Sequence, residues 1–175
     1  MRQSLTMDTI DLLKDGYGRL PELIDRTVRG LSAEALVWAP APESNPIGWL
    51  VWHLTRVQDA HIAELTGNPQ VWESGDWAER FGLGRDPDNT GFGHTPQDVA
   101  RVQPTDSDAL TGYFAAVYAK TRGVLDHATP KELDRVVDER WDPPVTLGVR
   151  LVSVLADDLQ HIGQAAYLRG LFDRM

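Results

Sequence analysis

Residues 154–164 read Val-Leu-Ala-Asp-Asp-Leu-Gln-His-Ile-Gly-Gln and lie inside a helical pattern that runs from about Leu147 to Phe172. Thr146 can cap this predicted helix, because a threonine hydroxyl accepts a hydrogen bond from a free N–H in the first turn. Apolar side chains recur at helical spacing and predict a buried face. They are Leu151, Val154, Leu155, Ile162 and Ala165, widened by Val152, Leu159 and Ala166.

The remaining polar residues form a narrow stripe, Ser153, Asp157, His161 and Gln164, at steps of four, four and three. Residues three or four apart lie on the same side of a helix, so Asp157 and His161 can reach one metal ion from adjacent turns. The alternative is a solvated pair joined by a weak hydrogen bond. Asp158 falls within the apolar face, which predicts either a buried, hydrogen-bonded carboxylate or a second candidate ligand.

Composition narrows the function classes. The length of 175 residues predicts a single domain, residues 1–175, and a formal charge of −9 argues against a nucleic-acid-binding surface. The chain has no cysteine, which excludes disulfides, thiolate metal sites and cysteine nucleophiles. No apolar run is long enough to span a membrane, and the N-terminus lacks a signal-peptide pattern. We therefore expect no membrane partner and a cytoplasmic location.

Two further amphipathic helices are predicted in the first third of the chain. The first covers residues 6–29, and Pro21 should either kink it or start its second half. The second should have Asn45 as its N-cap and Pro46 as its first residue, and Gly67 should end it.

A long crossover separates this second helix from a third one, predicted from Asp106 to His127. Residues 68–105 are rich in Gly, Pro, Asp and Trp and keep no helical period. The aromatic residues of the crossover favour packing over disorder; they are Trp72, Trp77, Phe81 and Phe92. A short extended piece is expected at Val136 and Val137. Four amphipathic helices with one long crossover predict an all-α four-helix bundle.

Bundle sites are built from side chains on facing helices, and catalytic zinc sites typically have three protein ligands. His53 flanks the apolar stripe of the second helix as His161 flanks that of the fourth, which makes it the natural third donor. His53 and His61 could instead be core histidines with one hydrogen-bonded nitrogen each. His94 could approach the site from the crossover, but the pattern favours a surface histidine.

Two motifs resemble the DinB superfamily. They are Ile-Gly-Trp-Leu-Val-Trp-His-Leu at residues 47–54 and Asp157-x-x-x-His161-Ile-Gly-Gln164. The resemblance covers nearly the whole chain and implies a four-helix bundle with a divalent metal held by His53, Asp157 and His161. Gln164 matches the family's glutamine. Asp157 stands where many members have histidine, and the mycothiol-dependent maleylpyruvate isomerases are a similar branch with a carboxylate there.

The resemblance also implies an activity, because characterised members, bacillithiol transferases among them, are transferases and isomerases that use low-molecular-weight thiols. The leading hypothesis is a metal-dependent thiol transferase or isomerase that takes a thiol such as mycothiol and a small electrophilic substrate. Imidazole-rich ligation favours Zn or Ni. An open position on the metal could lower the pKa of a bound thiol. The absence of cysteine is compatible with a nucleophile supplied by the cosubstrate.

Other classes stay open on the sequence alone. One is a non-catalytic or vestigial metal-binding bundle in assembly or stress response, and another is a metal-assisted hydrolase. Two histidines and one carboxylate also occur in non-haem iron oxygenases, but a helical bundle is not their usual scaffold. A homodimer is expected from the resemblance and from six tryptophans, a residue type enriched at interfaces.

Overall fold

The computed structural model describes residues 6–175, and the fold of this range is all-α, as predicted. The helices are α1 Thr9–Gly18, α2 Leu20–Val28, α3 Ala33–Leu36, α4 Ile47–Thr66, α5 Trp77–Arg80, α6 Pro96–Val99, α7 Ser107–His127 and α8 Leu147–Phe172. Short 3-10 turns occupy Val71–Glu73 and Pro130–Asp134, and β1 Val136–Asp138 pairs antiparallel with β2 Val145–Thr146. The α1–α2 pair, α4, α7 and α8 pack around one core as a four-helix bundle.

The first bundle element is split in two. Arg19 ends α1 and also precedes α2, and Pro21 lies in the first turn of α2, where a proline leaves no helical hydrogen bond unmade. Pro21 therefore belongs to the start of a second half, which is one of the two predicted outcomes. Asp8 caps α1 by accepting hydrogen bonds from the N–H groups of Ile10 and Asp11, so the predicted start at Thr6 was too early.

The N-cap predicted for α4 was wrong by one residue. Pro46 itself is the N-cap and is extended, with φ −72° and ψ 165°, so the helix begins at Ile47 and Asn45 does not cap it. The predicted end is confirmed, because Gly67 adopts the left-handed φ of 68° that closes a helix. Most of α4 is buried, since α3, α7, α8 and the first 3-10 turn all contact it.

The crossover is ordered and is anchored by a buried arginine of α4. Arg56 is fully buried and donates from Nε to the carbonyl of Asn89 at 3.1 Å and from Nη2 to that of Pro87 at 2.8 Å. Its Nη1 donates to Gln70 Oε1 at 2.7 Å and to the Tyr113 hydroxyl at 3.1 Å. A buried charge is tolerated only when it is paired and hydrogen-bonded, so Arg56 specifies where the crossover chain runs.

Asp59 supplies the opposite charge one turn after Arg56. Its carboxylate lies 3.4 Å from Arg56 and accepts hydrogen bonds from the N–H groups of Val71 and Trp72 and from the Tyr113 hydroxyl. The pair thereby fixes both the start of the crossover and the second turn of α7. Among the crossover aromatics, Trp72 and Phe81 are buried as expected, but Phe92 is 92% exposed, so its predicted packing was wrong.

The apolar face of α8 is narrower than predicted. Thr146 caps the helix, and Leu151, Val154, Ile162 and Ala165 are buried. The three residues expected to widen the face, Val152, Leu159 and Ala166, are exposed instead, because they lie on the side of α8 that faces away from the bundle. Val149 and Tyr167 are exposed as well, and with Val152 and Leu159 they define an outer apolar stripe of α8. Within residues 6–175, no helix combines the length and the apolar character needed to cross a membrane.

The homodimer stays a prediction, and the outer apolar stripe of α8 offers a test. If a second copy covers this stripe, Val152→Asp and Leu159→Asp should each convert the dimer to a monomer, because a buried, unpaired carboxylate is costly. Sedimentation velocity at micromolar protein concentration measures this, with Phe92→Asp in the crossover as the exposed apolar control. A monomer of the unchanged chain would contradict the homodimer itself.

Candidate metal centre

Three side chains from two packed helices converge at one point. His53 of α4 and Asp157 and His161 of α8 each offer one ligand atom, and these atoms lie within 4.8 Å of one another. No other group of three or more His, Asp or Glu side chains in residues 6–175 meets this condition. The structure thus brings together the three residues predicted as metal ligands, and their metal binding itself stays a prediction.

His53 is held in one tautomer by the crossover. It is buried, and its Nδ1 lies 2.6 Å from the main-chain carbonyl of Thr90. A carbonyl can only accept, so we assign the proton to Nδ1, which leaves the lone pair on Nε2. Burial is the largest influence on the imidazole and lowers the pKa of His53, which favours the neutral form that a metal ion requires.

His161 is oriented in the same way by its own helix. Its Nδ1 lies 2.9 Å from the main-chain carbonyl of Asp157, which again assigns the lone pair to Nε2. The Asp157 carboxylate is 3.4 Å from the same nitrogen and raises the pKa of His161, while burial opposes this effect. Backbone carbonyls on the far nitrogen of each imidazole are the usual support of histidine ligands.

Asp157 completes a donor set that fits a divalent cation. Its Oδ2 is buried and makes no hydrogen bond within the described residues, only the 3.4 Å contact with His161 Nδ1, although buried polar atoms are normally hydrogen-bonded. A cation held by this oxygen and two imidazole nitrogens would satisfy it, and the three protein ligands would leave a position for an exogenous ligand. The set suits Zn or Ni, as it does other borderline metals.

Gly91 lets the crossover approach His53. Its φ is 92°, and a Cβ at this position would lie 2.8 Å from His53 Nδ1 and 2.8 Å from the Trp52 ring. Neither contact is sterically possible without movement, so the Thr90 carbonyl reaches the imidazole only because a glycine follows it. The sequence shows a glycine-rich run here, but the contact of its backbone with His53 could not be predicted from it.

The remaining histidines and tryptophans pack around the site. Trp49 stacks on His53 with ring centroids 4.6 Å apart, and Trp52 is fully buried. His94 is half-buried in the crossover, and its Nδ1 accepts from Trp49 Nε1 at 3.2 Å, so it lies beside the site without joining the three-residue cluster. His61 lies outside the three-residue cluster and contacts Arg150.

Asp158 and Gln164 are not in the cluster either. Asp158 is fully buried, and neither of its carboxylate oxygens has a hydrogen-bond partner among the described residues, so the predicted hydrogen bonding was wrong. Burial first, and then the negative charge of Asp157, raise the pKa of Asp158 well above its ordinary value. Gln164 is exposed on the turn after His161.

Comparisons with known proteins identify the family of this chain. The model of the mycothiol-S-transferase family matches residues 19–174. The chain belongs to this family. It is also similar to the crystal structure of a conserved protein from Enterococcus faecalis, with a TM-score of 0.84 and 34% sequence identity over 94% of this chain and 96% of that one. None of the curated proteins compared with the chain matches it. The resemblance to the DinB superfamily is therefore confirmed for this mycothiol-S-transferase family member.

The support of His53 by the crossover generates a prediction. Gly91→Ala should push the Thr90 carbonyl away from Nδ1 and weaken metal binding by about 10- to 100-fold, the usual effect of losing such a supporting contact. Competition with a chromogenic chelator measures the affinity, and ¹⁵N shifts of the imidazole report the tautomer. Gly93→Ala is the matched control, because Gly93 also has a positive φ of 75° but an added Cβ would meet nothing within 4 Å. Equal affinities in the two variants would contradict the role of Gly91.

Asp158 generates a prediction about stability. A carboxyl group whose pKa is raised in the folded state makes the protein less stable as pH rises above the ordinary value of 3.8, because the folded state then holds a proton that the unfolded state has lost. Asp158→Asn should therefore gain stability relative to the unchanged chain progressively as pH rises from about 4 toward neutrality. Urea unfolding of chelator-treated protein measures this, with the exposed Asp88→Asn as the control. A constant difference across this range would refute the prediction.

Proposed function

We propose that this protein is a metal-dependent mycothiol transferase in which His53, Asp157 and His161 hold one divalent ion. The convergence of these three ligand atoms within 4.8 Å is the observation that supports the proposal most directly. Membership of the mycothiol-S-transferase family supports the thiol and the reaction type. Neither identifies the metal, for which Zn or Ni remains our expectation.

The ligand set suits thiol activation because of its charge. A divalent ion held there would lower the pKa of a bound thiol, as it does that of bound water. The two imidazoles would be neutral ligands, and the single negative charge of Asp157 would leave one net positive charge. One thiolate would neutralise this charge, whereas a second carboxylate ligand would oppose thiolate binding.

The surrounding side chains would keep the nucleophile in place and dry. Trp49 packs against His53, and the buried Trp52 packs against Trp49. The two indole rings therefore exclude bulk water from this side of the cluster. The Thr90 carbonyl holds the His53 imidazole, and the Asp157 carbonyl holds that of His161, so neither ligand has to reorient during turnover. Such preorganisation reduces the cost of reaching the transition state.

The overall reaction is a substitution at an electrophilic carbon. The thiol loses its proton, and the sulfur forms a bond to carbon as the bond from that carbon to the leaving group breaks. The leaving group departs with the bonding electron pair, and the proton of the thiol is released with it. The chain has no cysteine, so the sulfur comes from the cosubstrate. The isomerase variant of the hypothesis differs in that the same thiol adds to an activated double bond and is later released.

The ligand assignment is tested by four single variants. His161→Ala and Asp157→Ala should lose stoichiometric metal and reduce transfer of mycothiol to a fluorogenic haloalkyl bimane by at least about 100-fold. Asp157→His should keep the metal, because it supplies a third imidazole, and Asp158→Ala should keep it as well. Elemental analysis measures metal content, and circular dichroism checks that the bundle remains folded.

His127→Ala, which removes an exposed histidine of α7, is the matched control. Loss of metal in Asp158→Ala together with its retention in Asp157→Ala would mean that the carboxylate is misassigned. Metal content that is unchanged in all four variants would eliminate the three-ligand site.

The same assay separates the other function classes. Turnover of an activated ester in buffer without thiol would favour a metal-assisted hydrolase. Bound metal without turnover under either condition would favour a non-catalytic metal-binding bundle.

A further inference from the structure

A cavity of about 450 Å³ lies where the β1–β2 hairpin meets α4 and α8. It is lined by His61, Asp138, Arg140, Trp141 and Arg150. None of these residues belongs to the candidate metal centre, and the proposed chemistry uses none of them. We call this space the hairpin cavity.

The hairpin cavity lies along α8 from the metal centre. Arg150 precedes Asp157 by seven residues, nearly two full turns, so the two side chains leave the same side of the helix about 10 Å apart. On α4, His61 follows His53 by eight residues, a rise of about 12 Å. Arg150 Nη1 lies 2.9 Å from His61 Nδ1, so the two helices remain in contact at the cavity. A ligand that lies along these helices would have to span roughly 10–12 Å between the cavity and the metal centre.

The polar wall of the cavity is nearly neutral in charge. The buried Asp138 accepts from Arg140 Nε at 2.8 Å and from Arg150 Nη2 at 2.7 Å, and Arg140 Nη2 also lies 3.2 Å from Glu64 Oε1. Two guanidinium groups are thus balanced by two carboxylates. An anionic ligand would gain little net attraction from such a wall and would meet the negative charge of Asp138 and Glu64.

The wall still has hydrogen-bonding capacity. Arg150 Nε is buried and has no partner among the described residues, although buried N–H groups are normally paired. A guanidinium can only donate, so His61 Nδ1 accepts from Arg150 and the imidazole is neutral. Both Asp138 oxygens already accept two hydrogen bonds each. The groups open to a ligand with several hydroxyls are therefore the exposed Arg140 guanidinium as a donor and the Glu64 carboxylate beside it as an acceptor.

Trp141 adds a flat apolar surface to this polar wall. Its side chain is 64% exposed, which is unusual for a residue of this size. Aromatic surfaces with an adjoining set of polar groups suit rings that have apolar C–H faces and hydroxyl edges. That combination matches a sugar or a cyclic polyol.

We propose that the hairpin cavity binds the neutral, polyhydroxylated head group of the thiol cosubstrate while the sulfur end reaches His53, Asp157 and His161. The inference rests on the proposed function and names the part of the chain that recognises the thiol. Mycothiol belongs to the required class, because its thiol-bearing cysteine is joined through an amide to a glycoside of a cyclic polyol.

The test uses the N-acetylated glycoside of mycothiol, in which an acetyl group replaces the cysteinyl group, so the probe stays neutral and cannot ligate a metal through sulfur. Isothermal titration of the metal-loaded protein should show binding, and Trp141→Ala should raise its Kd by about 10-fold. Arg140→Gln, also at an exposed position, should raise the Kd by a similar factor. Tyr167→Ala is the matched control, because Tyr167 is an equally exposed aromatic residue on α8 outside the cavity.

Kinetics and metal content separate this inference from the proposed function. With mycothiol, Trp141→Ala should raise KM by more than it lowers kcat and should leave the metal content unchanged. Glycoside binding that depends on Trp141 would support the cavity even if transferase activity were absent.

Two results would overturn the inference. One is a Kd for the glycoside that is the same in Trp141→Ala, Arg140→Gln and the unchanged chain. The other is stronger binding of an anionic glycoside, such as a glucosaminyl malate, because the nearly neutral wall would then have been misinterpreted.

Discussion

The buried guanidinium of Arg56 is the constraint on which the arrangement of the crossover depends. A charge without solvent must find acceptors, and Arg56 finds them in the carbonyls of Pro87 and Asn89, in Gln70 and in Asp59. These acceptors come from α4 itself, from the start of the crossover and from its middle, so their common partner fixes the route of a chain that has little regular structure. Asn89 immediately precedes Thr90, and the carbonyl that orients His53 is therefore positioned by an interaction that involves no candidate metal ligand.

The candidate metal centre combines two sources of rigidity. The packed helices α4 and α8 set the distance between His53 and the pair formed by Asp157 and His161, because both helices contribute to the core on either side of the site. The crossover then sets the rotation of the His53 ring through the Thr90 carbonyl, an approach that Gly91 permits. A site built in this way loses little entropy when it binds an ion, since the ligands are already ordered.

The sequence predicted the parts of this structure that follow from local pattern. Helical periodicity and caps such as Thr146 and Gly67 located the long helices, and the i, i+4 spacing of Asp157 and His161 placed both on one face of α8. Periodicity did not show which apolar residues face the core, so Val152 and Leu159 were assigned to the wrong side. The main-chain contact that orients the His53 imidazole could not be predicted either, because the Thr90 carbonyl is a group that any residue could provide. Arg56 resembles a surface arginine until its tertiary partners are known.

The carboxylate of Asp157 gives the candidate metal centre a property that the hairpin cavity shares, which is a low net charge. A set of three imidazoles would leave a divalent ion with two positive charges and would attract anionic ligands in general. One carboxylate would reduce this to a single charge, which one thiolate would neutralise, so a thiol without further charge would gain the most. The cavity wall has the same property, since Asp138 and Glu64 balance Arg140 and Arg150. Both ends of the proposed binding path thus disfavour thiols that carry additional negative charge. Recognition of the thiol then depends on hydrogen bonds to its hydroxyl groups and on contact with the Trp141 ring.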